Sequence, residues 1–295
     1  MKRADAGGKV AAPRELAPEI RPGQSVALLQ ELHILTRDGK LNQDSRRKLK
    51  QVYHLVQFIE PLLNEIQQDH PAISLVDHGA GKSYLGFILY DLFFKNKDDG
   101  SHIYGIETRE ELVQKSTELA KRLEFPGMSF LPLSVAESTT SNKLPAQIDI
   151  VTALHACNTA TDDAIDFALK KKAKFMVLVP CCQAEVATVL KKNKGKDLGK
   201  SALTEIWRHP LHTREFGSQV TNVLRCLQLE AHGYQVNVTE LVGWEHSMKN
   251  ELIIASYKNL PRKRPSERLQ EVLTTLGLEE MGQRFYTEQL STAQS

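Results

Sequence analysis

The order of strands and helices predicted after Pro71 constrains the fold more than any other feature of this sequence. From there to about residue 257, short runs of β-branched and apolar residues alternate with helical stretches. The predicted strands are Ile73–Asp77, His102–Glu107, Met128–Leu133, Ile148–Leu154, Phe175–Val179, Tyr234–Leu241 and Leu252–Tyr257. Such alternation indicates right-handed crossovers and a mainly parallel sheet. We therefore expect a doubly wound α/β fold of about seven strands, with one of the last two strands antiparallel.

The chain divides into four predicted segments. Residues 1–23 are rich in Ala, Gly and Pro and are expected to form a loose leader. Residues 24–70 have helical periodicity and are expected to cap the side of the sheet where a ligand would bind. Residues 71–257 form the α/β domain, within which 183–233 are a helical insertion. Residues 258–295 are predicted to be a helical tail.

The composition is that of a soluble globular protein, with 41% hydrophobic and 25% charged residues. No apolar run approaches the roughly 18 residues that span a membrane, so we expect no membrane partner. The basic N-terminus is followed by no apolar core, which argues against a signal peptide. The four cysteines form no paired framework, which favours a reducing compartment and predicts a cytoplasmic protein.

A glycine loop joins the first predicted strand to the next helix, at Leu75–Gly81. Glycines at 79 and 81 let the backbone approach a ligand closely. A phosphate loop would need glycine where Val76 stands, and a dinucleotide loop would need a third glycine where Tyr84 stands. The remaining interpretation is a site for S-adenosylmethionine, whose ammonium and sulfonium favour an acid at the strand end, here Asp77. Glycines that serve packing only are the alternative.

Two further segments support a cofactor site. Glu107 ends the second strand, where an acid accepts hydrogen bonds from both ribose hydroxyls of a nucleoside. Leu133–Glu137 follows the third strand and is placed to meet the adenine. The residues predicted to bind the cofactor are Asp77, His78, Gly79, Ala80, Gly81, Tyr84, Glu107, Ala136, Glu137 and His155.

The motifs together resemble those of the class I S-adenosylmethionine-dependent methyltransferases. More narrowly, the chain resembles the methyltransferase-domain family that includes methyltransferase-like protein 25. The likeness covers roughly residues 45–257 and is carried by Asp77–Leu85, Ala153–Asn158, Val179–Cys182 and His246–Asn250. Asn158 stands where the family usually has glycine. The resemblance implies methyl transfer and leaves the acceptor open.

The predicted catalytic residues follow the fourth and fifth strands, because ligands of an open parallel sheet bind beyond its carboxyl ends. They are His155, Asn158 and Cys182. His155 is the candidate base, or else a hydrogen-bonded histidine that shapes the loop. A thiolate at Cys181 or Cys182 could attack a pyrimidine, but direct transfer to nitrogen or oxygen is the favoured mechanism. No cysteine pair has the spacing of a structural zinc site, so no metal is predicted.

Basic runs surround the predicted domain and favour a polyanionic substrate. They lie at Arg46–Lys50, Lys170–Lys174, Lys191–Lys200 and Arg262–Arg264. We expect structured RNA such as rRNA or tRNA, with a protein or small-molecule acceptor, or an inactive RNA-binding protein, as alternatives. The predicted substrate contacts are Arg46, Arg47, Lys48, Cys181, His212 and Arg214. Trp207 and Phe216 are assigned either to base stacking or to the core. The sequence predicts no oligomeric state.

Overall fold

The computed structural model describes residues 18–156, 159–180, 184–193, 202–241 and 251–287. Its centre is a seven-stranded sheet with the order β3-β2-β1-β4-β5-β7-β6. The strands are β1 (Ser74–His78), β2 (His102–Ile106), β3 (Met128–Leu131), β4 (Ile150–Ala156), β5 (Phe175–Pro180), β6 (Tyr234–Glu240) and β7 (Glu251–Tyr257). The predicted doubly wound α/β class is confirmed, and the strand ends differ from the predicted ones by at most two residues.

Nine α-helices accompany the sheet in the described ranges. They are α1 (Val26–Glu31), α2 (Gln43–Asp69), α3 (Tyr84–Leu89), α4 (Glu110–Arg122), α5 (Val135–Thr140), α6 (Ala160–Lys170), α7 (Glu185–Lys192), α8 (Pro210–Ala231) and α9 (Lys263–Thr275). A π-helical turn, Tyr90–Phe94, continues α3. Short 3-10 helices lie at Ala202–Trp207 and Glu279–Met281. The long α2 runs through Pro61 without a break.

The strand pairing places all strand-end candidates at one edge of the sheet. Strands β1 to β5 are parallel, and β7 lies antiparallel between β5 and β6. We call the edge where β1 to β5 end the carboxyl edge, and the opposite edge the amino edge. The strand order reverses between β1 and β4, and the crevice at such a reversal is where open α/β sheets bind ligands.

Both faces of the sheet are covered by apolar side chains. On one face Val76, Val151 and Met176 are buried together with Ile165 and Phe167 of α6. The other face is aromatic, and includes Phe87 stacked on Phe130, Tyr90 packed against Phe125, and Phe94 beside Tyr90. Burial on both sides explains why the parallel strands are apolar throughout rather than alternating.

A second apolar cluster joins α7, α8 and α9. Val186, Leu224 and Leu269 from the three helices are buried in it together with Phe285. The helices α7 and α8 cross closely because Gly217 has no side chain: a Cβ there would lie 2.7 Å from the Cβ of Ala187. The segment interpreted as a tail therefore forms part of a core.

The chain divides within α2 into two compact units, Met1–Lys50 and Gln51–Ser295. In the first unit, Ser25 caps α1 by accepting a hydrogen bond from the backbone of Leu28. Leu28 and Leu29 on this helix are fully buried. That residues 24–70 cap the cofactor side stays a prediction. Among the described helices, none is long and apolar enough to cross a membrane.

Candidate functional site: the loop after β1 and the acid after β2

The loop between β1 and α3 is a tight turn held against the end of β2. Gly79 and Gly81 have φ angles of +68° and +58°, which side chains of L-residues rarely adopt. The backbone N–H of Ala80 donates to the carbonyl of Ile106 at 2.9 Å. Ser83 is also left-handed, with φ +50°, and it precedes the first turn of α3. The loop predicted from the sequence thus has a fixed conformation, with Tyr84 at the first helical position.

Asp77 lies beneath this loop, on the side of α3. It is 2% exposed, and its two carboxylate oxygens accept hydrogen bonds from Thr152 Oγ1 at 2.9 Å and Ser83 Oγ at 3.1 Å. Gly86 is needed beside them because a Cβ there would lie 2.5 Å from Ser83 Oγ. Burial raises the pKa of Asp77 to about 6, although the two hydroxyl donors lower it in part. Asp77 therefore holds the loop, and whether it also contacts a cofactor stays a prediction.

Glu107 follows β2 and faces the glycine loop. Its Oε1 accepts hydrogen bonds from the backbone N–H and the Nε of Arg109, both at 3.0 Å. Its Oε2 accepts from the backbone N–H of Gly81 at 2.9 Å and from Arg109 Nη2 at 3.1 Å. Burial alone would raise the pKa of Glu107, but these donors and the charge of Arg109 lower it to about 2. Glu107 is thus an ionised, fixed acceptor beside the loop.

His78 is the most unusual side chain of the predicted cofactor set. It is 5% exposed and lies on the α6 side of β1, with its ring 5.4 Å from that of Phe167. Neither ring nitrogen has a hydrogen-bond partner among the described residues. Burial lowers the pKa of His78 to about 4, although the charge of Glu107 opposes this shift. The ring is therefore neutral at physiological pH.

The segment predicted to meet the adenine, Leu133–Glu137, includes the start of α5. Ser134 and Glu137 form a capping box at α5, in which the carboxylate of Glu137 accepts from both the backbone N–H and the Oγ of Ser134. Ala136 is exposed in the same turn. This capping role accounts for Glu137, and its predicted contact with the adenine stays untested.

The predicted catalytic residues lie largely outside the described residues. His155 is in β4, next to the end of β1, and its side chain is not described. Asn158, Cys181 and Cys182 fall in residues that the structure does not describe. Their roles therefore stay predictions.

The first half of α8 lies beyond the carboxyl edge. Asn222 of α8 donates to Glu251 at the start of β7, which is level with the end of β5. The ten residues from there back to His212 span up to about 15 Å of helix. His212 is exposed, and Arg214 pairs with Glu215 at 2.9 Å on the surface. These two predicted substrate residues therefore lie beyond the same edge of the sheet as Glu107.

Other basic residues are less available than the sequence suggests. Arg46 pairs with Glu19 at 3.0 Å, Arg47 approaches Asp44 at 3.8 Å, and Lys48 is exposed in α2. The run Lys170–Lys174 precedes β5, and Arg262–Arg264 follow β7, so both runs lie at the amino edge. The length of β5 separates that edge from the carboxyl edge by about 20 Å. Lys194–Lys200 fall outside the described residues.

Trp207 belongs to the core. It is 2% exposed and stacks on Phe216 with 4.9 Å between the ring centroids. Of the two alternatives left open by the sequence, the structure therefore supports core packing.

Three residues that sequence reasoning missed complete the site. They are Thr152 and Ser83, which hold Asp77, and Arg109, which holds Glu107. An arginine two residues after a strand-end acid was a visible signal. The partner of Asp77 was not visible, because Thr152 comes next to it only through the β1–β4 register.

A buried ion-pair network also supports the carboxyl edge. Arg225 of α8 is 1% exposed and donates to both oxygens of Asp162, at 2.6 and 3.1 Å. Arg284 adds a contact to Asp162 at 3.4 Å and one to Glu185 at 3.2 Å. Asp162 therefore joins α6, α8 and the C-terminal segment.

Comparison with known proteins points to the same class as the sequence motifs. Residues 47–189, just under half of the chain, match the sequence profile of a family described as a methyltransferase domain. Over these residues the chain is similar to this family, in agreement with its resemblance to the class I methyltransferases. The methyl donor of this class is S-adenosylmethionine.

Individual relatives are more distant. The chain is 25% identical over 236 residues to the glutathione S-transferase C-terminal domain-containing protein of Bos taurus, a match covering 74% of this chain and 34% of that protein. The protein of the same name from Xenopus laevis is 23% identical over 237 residues, covering 74% and 36%. The chain thus spans about a third of the length of the curated relatives it matches.

Among solved structures, magnesium protoporphyrin IX methyltransferase from Synechocystis PCC 6803 with bound S-adenosylhomocysteine is similar to this chain. The match has 16% identity and a TM-score of 0.43, and it covers 78% of this chain and 94% of that one.

Proposed function

We propose that this chain transfers a methyl group from S-adenosylmethionine to RNA, with the acceptor approaching over the carboxyl edge of the sheet. The use of S-adenosylmethionine as methyl donor is supported mainly by the geometry of Glu107. It is an ionised carboxylate next to a glycine loop at the strand-order reversal, and each oxygen has one position held only by an exposed arginine side chain. A ribose diol needs such a pair of acceptors.

The cofactor's chemistry leaves the protein mainly a positioning role. The sulfonium supplies an activated methyl group, which an in-line attack by the acceptor removes. Glu107 orients the ribose, and the open backbone at Gly79 and Gly81 lets the ligand approach. Holding donor and acceptor in line provides most of the rate, since correct orientation replaces a bimolecular encounter. His155 in β4 is the proposed base for the acceptor's proton.

The proposal that RNA is the acceptor is supported by the surface around the start of α8. Arg208, His209, His212 and Arg214 are exposed there, beyond the carboxyl edge. Arg208 pairs with Glu205, and Arg214 pairs with the partly exposed Glu215. Such surface pairs are weak enough for a phosphate to replace. Cysteines 181 and 182 are proposed to shape the pocket rather than to attack the base.

A label-transfer experiment tests the proposal. The protein is incubated with methyl-labelled S-adenosylmethionine and separate RNA and protein fractions, and label in RNA alone is the expected result. His155→Ala should lower turnover more than cofactor affinity, whereas Cys181→Ala and Cys182→Ala should each retain turnover. A covalent adduct with a 5-fluoropyrimidine RNA, lost in one cysteine variant only, would make that cysteine the nucleophile.

The phosphate contacts are tested by salt dependence. Arg214→Ala should weaken RNA binding and reduce the logarithmic salt slope by about one, because one fewer phosphate is neutralised. Arg268→Ala, at a similarly exposed arginine of α9, is the matched control and should leave the slope unchanged. Equal effects of both variants would contradict the assigned surface.

A protein acceptor is the second candidate. Ile206 and Leu211 are 48% and 55% exposed beside the same arginines. Large apolar side chains at the surface favour contact with another protein. Label in the protein fraction, reduced by Leu211→Ser and insensitive to ribonuclease, would favour this candidate over RNA.

A further inference from the structure

We propose that the guanidinium of Arg109 occupies the ribose positions on Glu107 and must leave when the cofactor binds, so that Arg109 sets the affinity and the salt dependence of the site. This rests on the proposed cofactor function and extends it to a residue with no assigned role. The exchange involves hydrogen bonds only, and no covalent bond changes.

The pattern of donors on Glu107 carries the argument. A carboxylate oxygen accepts about two hydrogen bonds. Each oxygen of Glu107 has two donors at 2.9–3.1 Å, and Oε1 has a longer contact from Thr108 Oγ1 at 3.4 Å. On each oxygen, one of the two shorter donors is a backbone N–H, from Gly81 or from Arg109 itself. The other shorter donor is the guanidinium, through Nε on Oε1 and Nη2 on Oε2.

This arrangement matches what a ribose presents. Two neighbouring hydroxyl groups would donate one hydrogen bond to each oxygen, as the guanidinium now does. The backbone donors can stay, because they belong to the turn that shapes the site. The ribose and the guanidinium therefore compete for the same two positions.

The position of the side chain supports the same conclusion. The Nη2 of Arg109 lies 3.9 Å from where a Cβ on Gly81 would be, so the guanidinium stands over the open side of the glycine loop. The side chain is 62% exposed, which makes its release inexpensive. Hydrogen bonds to Glu107 raise the pKa of Arg109, and the charge of the neighbouring Glu111 adds to this shift.

The first test measures binding of S-adenosylhomocysteine by calorimetry. This ligand has no net charge, so removing a cation changes its affinity mainly through the lost competition. Arg109→Ala should bind it about two- to fivefold more tightly than wild type, the range expected for loss of an exposed ion pair. Arg268→Ala, at a side chain 59% exposed, is the matched control and should bind like wild type.

Salt separates competition from a structural effect. In this pair the guanidinium is exposed and Glu107 is buried, so raising NaCl from about 50 to about 500 mM screens it only in part and the wild-type affinity should increase modestly. The increase should be absent in Arg109→Ala and retained in Arg109→Lys. S-adenosylmethionine, which carries an additional positive charge, should gain more than S-adenosylhomocysteine from Arg109→Ala.

The outcomes distinguish the two proposals. If wild type binds neither ligand, the proposed cofactor function fails. If wild type binds and Arg109→Ala binds equally or more weakly, the function stands and the competition is wrong. A melting temperature unchanged in the ligand-free variant shows that the difference does not come from unfolding.

Discussion

The carboxylates after β1 and β2 differ sharply although they lie at neighbouring strand ends. Asp77 is enclosed beneath the loop and has only hydroxyl partners, and burial raises its pKa to about 6. Glu107 lies at the mouth of the loop. Although burial opposes ionisation there too, backbone N–H groups and a guanidinium lower its pKa to about 2. The local donors therefore decide the charge of each acid, and its position at a strand end does not.

This difference separates two tasks that the sequence assigned to both acids. Glu107 keeps a full negative charge and exchangeable partners, as a ligand-binding acid requires. Asp77 has its oxygens committed to Thr152 and Ser83, which belong to the scaffold. We infer that Asp77 mainly shapes the loop and Glu107 mainly binds the ligand. Substitutions at each acid and in the loop between them test this division.

Removing the acid after β2 should have the largest effect. Glu107→Ala deletes two charged acceptors for the ribose, each worth about 1.5–3 kcal/mol, so S-adenosylhomocysteine affinity should fall by at least about 100-fold. Calorimetry measures the change. Glu107→Gln keeps the shape and one acceptor oxygen, so its affinity should lie between those of Glu107→Ala and wild type. Binding within a factor of about two of wild type for Glu107→Ala would remove the ribose assignment.

Replacing the acid after β1 should instead change stability. The folded-state pKa of Asp77, about 6, lies above its usual value of 3.8, so the folded protein binds more protons than the unfolded chain between these pH values. The contribution of Asp77 to the unfolding free energy therefore falls as pH rises from about 4 to about 6. Asp77→Asn removes this loss and should raise the unfolding free energy at pH 7.5 by about 2 kcal/mol.

The quantity to measure is the difference in unfolding free energy between wild type and Asp77→Asn. His78 has a lowered pKa of about 4, so its own contribution rises with pH over an overlapping range and partly hides that of Asp77. Urea unfolding of wild type and Asp77→Asn at several pH values isolates the Asp77 contribution. An advantage of Asp77→Asn that is equal at pH 4 and pH 7.5 would contradict the raised pKa.

The sequence predicted the glycine loop and the acid beside it better than the residues that hold Asp77 in place. Gly79, Gly81 and Glu107 were found because a strand end followed by glycines, or by an acid, is a local pattern. Thr152 could not be found, since it lies 75 positions from Asp77 along the chain and meets it only through strand pairing. Burial decides the pKa of Asp77, and burial depends on the packing of α3 rather than on neighbouring residues.

The helical part was predicted in less detail. Residues 258–295 were expected to be a helical tail, and α9 is a helix whose Leu269 and Leu273 are buried against α7 and α8. The run Arg262–Arg264 was counted among the basic runs that favour a polyanionic substrate, and the antiparallel direction of β7 places it at the amino edge. Neither position can be read from the sequence pattern, because both depend on how the strands and helices pack.

The glycine loop gives the next test, because it lies between the two acids. Gly81→Val puts a β-branched residue at φ +58°, a strained conformation that costs about 1–2 kcal/mol. Displacement of the Gly81 N–H from Glu107 should then lower S-adenosylhomocysteine affinity about tenfold. Gly39→Val, at φ +75° with no atom within 4 Å of a Cβ, is the control. It should cost similar stability and leave affinity unchanged; equal losses of affinity in both would show a global effect.

The smallest effect is expected at the hydroxyl that connects β4 to Asp77. Thr152→Val keeps the shape of the side chain and removes the donor to Asp77 Oδ1. With less support for its charged form, the pKa of Asp77 should rise further. The advantage of Asp77→Asn should then keep growing to a pH up to about one unit higher, and the unfolding free energy at pH 7.5 should fall by about 1 kcal/mol. Thr221→Val is the matched control, because Thr221 is equally buried and donates only to the carbonyl of Gly217.

For Thr152→Val, S-adenosylhomocysteine affinity should stay within about twofold of wild type, because Thr152 acts on the acid beneath the loop. A loss of affinity as large as that of Glu107→Gln would instead place Asp77 in direct contact with the ligand and end the division between the two acids.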